Sequence, residues 1–127
     1  MLLSPDGSFS ATVAGHPPIL KVDTKGKVVD RIGEGAYPLG IKTGVQWNEV
    51  QDSLATGERL VLHSDGLTEA RNADDREFGD PYVEAVVGWN GKASAGALLN
   101  ALVEEWKKFC GKRPAEDDIS IAVLERR

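Results

Sequence analysis

The sequence predicts an α+β fold, with an antiparallel sheet first, helices after it and one closing strand. Three observations carry this. Apolar and polar residues alternate through much of the first half, which is strand spacing. Between Ser94 and Cys110 the apolar residues instead recur at helical spacing, and Ile119 to Leu124 returns to a strand pattern.

Each element has its own signal. Ser4-Pro5-Asp6-Gly7-Ser8 reads as a hairpin turn, with Pro and Gly at turn positions. Phe9 to Ala14 alternates as a strand, Ile19 to Val22 continues after the Pro17-Pro18 break, and Val28 to Ile32 follows the Lys25-Gly26 turn. Together they predict an antiparallel meander. Gly33 to Gly44 is a glycine-rich loop. Trp47 to Leu54 and Arg59 to Ser64 read as strands joined across Thr56-Gly57. The second is almost continuously apolar, as a strand covered on both faces would be. Leu67 to Asn72 and Pro81 to Val87 read as short helices, the latter with Pro81 in its first turn. Ser94 to Cys110 is the long helix, with Leu98, Leu99, Leu102, Val103, Trp106 and Phe109 on one face, Ser94 as N-cap and Gly111 as stop. That stripe reads as core, not as a cofactor site.

The chain has 127 residues, enough for one core, so a single domain over 1–127 is expected. A net charge of −5 argues against nucleic acid or an anionic membrane surface as the main partner. No apolar run reaches membrane-spanning length, and no signal-peptide pattern opens the chain. Cys110 stands alone among apolar neighbours, which predicts a buried, inert thiol and a reducing cytoplasm.

The chemistry concentrates at two places. Leu60 to Ser64 delivers Asp65 to a sheet rim, where Gly66 is expected to ease the turn. Asp117-Asp118 stands just before the closing strand. Two strand-edge aspartates suggest a shared oxygen site for a hard divalent cation. Taken singly, Asp65-Gly66 reads more simply as an ordinary turn, since turns enrich Asp and Gly, and Asp117-Asp118 as a solvated pair. His16 is the obvious acid–base residue, but Gly15 and Pro17-Pro18 describe a tight turn around it. His63 reads as a packing residue on its strand. Glu69 opens the helix beside Asp65 and is a candidate for supporting the site. Lys107, Lys108, Lys112 and Arg113 read as a solvated basic face.

Several motifs occur in a fixed order: Ala14-Gly15-His16-Pro17-Pro18-Ile19-Leu20, Pro38-Leu39-Gly40, Leu60 through Asn72, Phe78-Gly79 and Asp117-Asp118-Ile119-Ser120. This set resembles the C-terminal half of the SpoIIE-like branch of the PPM (type 2C) protein serine/threonine phosphatases, from about Phe9 onward. The resemblance implies part of a four-layer α/β/β/α sandwich. It also implies a bacterial signalling enzyme that removes phosphate from serine or threonine of a phosphoprotein, often an anti-sigma-factor antagonist.

The same resemblance assigns Asp65 and Asp117 as metal ligands, with Asp117 rather than Asp118 matching the Asp-x-hydrophobic-Ser/Thr pattern. Gly66, His16, Glu69 and Asp118 become supporting or substrate-facing candidates. Mn²⁺ or Mg²⁺ is the implied cofactor, as a pair about 3.5–4 Å apart that activates water. The family domain begins with strands carrying further aspartates, and nothing in Met1 to Ala14 matches them. The expectation is therefore an N-terminal half absent from this sequence and a chain inactive by itself. A non-catalytic, partner-binding pseudophosphatase module is the alternative. Unpaired sheet edges left by a missing half predict self-association.

Overall fold

Alternation drives the first half of the chain into two antiparallel sheets rather than one. In the computed structural model, which describes residues 1–127, β1 (Leu2–Leu3), β2 (Ser8–Ala11) and β5 (Val50–Ser53) form a sheet in the order β1-β2-β5. β3 (Ile19–Val22), β4 (Val28–Ile32), β6 (Arg59–His63) and β7 (Ile121–Glu125) form the other, in the order β4-β3-β6-β7.

The expected meander is thereby corrected. β3 and β4 make a hairpin, but β2 pairs with β1 and β5 instead. Pro17 and Pro18 have no N–H to give a ladder, and Gly15 takes left-handed backbone at φ 72°, so the chain leaves one sheet and enters the other. The Ser4–Ser8 turn forms as expected, with the Gly7 N–H donating to Ser4 O at 2.9 Å and the Ser4 N–H to Ser8 O at 2.8 Å. The strand expected from Trp47 is regular only over Val50–Ser53.

Three helices follow β6: α1 (Asp65–Thr68), α2 (Gly79–Trp89) and α3 (Ala95–Cys110). Ser94 caps α3 by accepting from the Ala97 N–H at 3.3 Å, and Gly111 ends it with φ 58°. α1 is shorter than the expected Leu67–Asn72 helix and starts earlier. The Asn72 Oδ1 accepts from the Asp74 and Arg76 N–H groups, which closes a turn and leaves Arg71 bridged to Glu77 in place of further helix.

Two apolar layers hold these elements. Phe9, Ala11, Val13, Ile19, Ile32, Leu54 and Leu60 fill the space between the sheets. Leu20, Val22 and Val61 face the other way and pack with Leu67, Phe78, Val83, Leu98 and Leu102 under the helices. The result is a sheet–sheet–helix stack with β6 at its centre, an α+β fold as expected. Cys110 is buried, and burial pushes its thiol up, consistent with an inert side chain.

Candidate metal centre

β6 runs out at His63 directly opposite Ile121, where β7 begins. This register lays the segment after β6 beside the segment before β7. Ser64 fastens the two. Its N–H donates to Ser120 O at 2.9 Å, its hydroxyl donates to Asp118 O at 3.1 Å, and the same Oγ accepts from the Ser120 N–H at 3.0 Å. Asp65 then opens α1, and its Oδ1 accepts from the Gly66 N–H at 3.0 Å. Asp117 Oδ1 accepts from the Asp118 N–H at 2.7 Å. Both aspartates are exposed.

Gly66 sets how close these segments come. A Cβ there would stand 2.4 Å from Asp118 O and 3.5 Å from Asp117 Cβ. Gly66 is buried within α1, so its role is close approach, not the turn expected of it. Asp65 and Asp117 thus lie on touching segments at one end of the four-stranded sheet.

The other candidates divide. Glu69 shares a cleft of about 230 Å³ with Gly66, Arg71, Glu77, Glu116 and Asp117. Asp118 contributes its carbonyl to the Ser64 tie, and its exposed side chain lies next to Asp117 in the chain. His16 is exposed in the β2–β3 connection, its Nδ1 2.7 Å from Pro17 O, and it does not line this cleft. His63 is buried, as a packing residue would be. A cleft of about 340 Å³ on the other side of Asp117 is lined by Asp117, Asp118 and Trp106, and Asp65 lines neither it nor the 230 Å³ cleft. Clefts along β1, β2 and β5 (530 Å³) and at the Arg31–Tyr37 segment (380 Å³) contain neither aspartate.

Arg113 was not legible as part of this region, whereas Arg71 lies within the Leu60–Asn72 motif. Arg113, expected on a solvated face, donates to Asn72 O at 3.0 Å, to Asp75 Oδ1 at 2.9 Å and to Glu116 at 2.5 Å. Arg71 pairs with both Asp75 and Glu77. The hydrogen bond from Arg113, with the Arg71 charge beside it, holds the Asp75 carboxyl below its usual range. No sequence signal marks Arg113, because its partners on the Arg71–Glu77 turn are distant in the chain.

The donor chemistry fits a hard divalent cation: carboxylate oxygens on two segments that Gly66 lets touch, and no sulfur or paired imidazole. Such cations take about six oxygens. Nowhere does the chain gather three His, Cys, Asp or Glu side chains able to hold an ion, so its own side chains make at most part of a coordination shell.

Comparison with known structures gives the class. The chain is similar to the SiaA-PP2C domain of Pseudomonas aeruginosa, with a TM-score of 0.79 and 19% identity over 96% of this chain and 48% of that one. It is similar to the phosphatase domain of the cell fate determinant SpoIIE from Bacillus subtilis, with a TM-score of 0.73 and 18% identity over 98% of this chain and 55% of that one. It also resembles a structure of the RsbU and RsbW domains of a Mycobacterium tuberculosis protein, with a TM-score of 0.67 and 24% identity over 96% of this chain and 33% of that one. The fold is thus that of part of a PP2C-type phosphatase domain, and the chain spans about half the length of the first two structures or less of the third. The family model of Stage II sporulation protein E (SpoIIE) matches residues 3–127, and this chain belongs to that family.

Proposed function

We propose that the chain supplies one side of the active site of a metal-dependent phosphoserine/phosphothreonine protein phosphatase. The observation that carries this reading is the contact of the Gly66 and Asp117–Asp118 segments, which brings two exposed aspartates to one sheet end in a SpoIIE-family chain. Asp65, at the start of α1 directly after β6, and Asp117, in the segment before β7, would hold Mn²⁺ or Mg²⁺ through their carboxylate oxygens. Bound cations supply positive charge to the phosphoryl oxygens and activate the attacking water. The chain's own part is to bind, to keep the two segments in register through Ser64 and Gly66, and to present Glu69 along the adjoining cleft.

The substrate in this reading is a phosphoprotein such as a phosphorylated anti-sigma-factor antagonist, the class that the motif resemblance implies. With only part of a coordination shell available, the 127-residue chain alone is expected to turn over p-nitrophenyl phosphate negligibly in Mn²⁺. Joined to the part of a PP2C-type domain that it does not span, it is expected to show Mn²⁺-dependent turnover that Asp65→Asn or Asp117→Asn abolishes. Turnover that survives both substitutions contradicts the assignment. A joined protein that binds phosphoprotein without hydrolysing it marks a pseudophosphatase.

A further inference from the structure

We propose that Arg113 is a positioning residue for the metal-holding edge, tying the segment that presents Asp117 to the Arg71–Glu77 turn. The inference rests on the metal reading above. α3 ends at Cys110, and no regular structure follows until Ile121, so the intervening segment depends on side-chain ties for its placement. Ser64 holds its far end through Asp118 and Ser120, and Arg113 holds the part before Asp117. Its Nη1 donates to Asn72 O (3.0 Å) and Asp75 Oδ1 (2.9 Å), while Nε and Nη2 donate to Glu116 Oε1 at 3.1 and 2.5 Å. One guanidinium therefore spans from the turn to the residue immediately before Asp117.

The far end of this tie is itself firm. Arg71 pairs across the bridge with Glu77 and donates to Asp75 O at 3.0 Å. Asp75 adopts left-handed backbone (φ 62°), which Asp tolerates better than most residues, and its carboxylate is held between the two arginines. Exposed ion pairs contribute little alone. Here the planar fork reaches a backbone carbonyl and two carboxylates at once, which a lysine ammonium cannot reproduce.

The sign of the effect separates positioning from charge. A guanidinium near a cation site repels the cation, so by charge alone its removal tightens Mn²⁺ binding. Loss of positioning loosens it.

The test compares wild type, Arg113→Met, Arg113→Lys and Asp117→Asn in the 127-residue chain. Mn²⁺ binding is followed by water-proton relaxation, and amide hydrogen exchange is measured in the absence of metal. Arg113→Met is expected to weaken Mn²⁺ binding roughly 10-fold, the scale at which groups supporting metal ligands act. It is also expected to speed exchange across residues 112–118 while leaving α2 and α3 protected, and Arg113→Lys is expected to restore only part of the binding. Unchanged or tighter Mn²⁺ binding in Arg113→Met, with wild-type binding sensitive to Asp117→Asn, overturns the positioning role alone. Wild-type binding insensitive to Asp117→Asn overturns the metal reading and this inference with it. Should Arg113→Met lose its fold, Arg113→Lys decides by the same two readouts: full wild-type affinity and exchange overturn the proposal.

Discussion

At position 66 a hydrogen in place of a methyl group fixes the separation of two chain segments. An alanine Cβ would meet Asp118 O at 2.4 Å, and a backbone atom cannot swing aside as a side-chain tip does. Gly66→Ala is therefore expected to part the segments, strain the Ser64 bonds and cost about 1–3 kcal/mol by overpacking. Urea denaturation reads this directly, and an unchanged midpoint would contradict it. The aspartates were legible as a pair because each ends or begins a strand pattern and the motif order carried a family resemblance. The tie made by Arg113 was not, because it sits in a basic run that reads as solvated. Its partners Asn72 and Asp75 are reached only through the fold. Gly66 was legible as special, but the reason lies in a neighbour that sequence does not reveal.

Among the elements, β6 carries the most. It pairs with β3 and β7, and its faces enter both apolar layers. Arg59 at its start is buried and donates to the carbonyls of Asn90 (3.2 Å), Ala93 (3.0 Å), Gly91 (2.6 Å) and Asp23 (3.3 Å), so that end of the strand anchors the α2–α3 connection. The strands were largely legible from alternation, whereas their division between two sheets was not, since pairing is a long-range property. One inter-sheet contact has a pH signature. Lys21 on β3 donates to Asp52 on β5 at 2.6 Å. Burial pushes the Asp52 carboxyl up, but the bonds from Lys21 and the Ser53 N–H outweigh it and hold the group below its usual 3.8. A depressed folded value means stability that is fully present above 3.8 and is lost as pH falls through the folded value. Wild type is expected to lose more stability than Asp52→Asn between about pH 5 and pH 3, measured by urea midpoints at each pH. Equal losses would contradict the pairing.

On the scale of the whole molecule, the fold is a three-layer stack whose two sheets end in four outer strands, β1, β4, β5 and β7. Leu39 and Ile41 on the long loop, and Leu2 on β1, are more than two-thirds exposed. Open edges and exposed apolar side chains favour association. Light scattering is expected to find dimers or larger species, and a clean monomer at high concentration would count against that. No helix is long and apolar enough to cross a membrane.

The account as a whole turns on whether Asp65 and Asp117 act as one cation site. The most direct measurement is a Mn²⁺ titration followed by paramagnetic broadening of backbone amide signals in wild type, Asp65→Asn and Asp117→Asn. The predicted result is early broadening of Gly66 and Asp118 in wild type, with both single variants needing far more Mn²⁺ for the same loss. Broadening centred elsewhere, such as along the Glu104–Glu105 face of α3, or unchanged in both variants, would contradict the central claim.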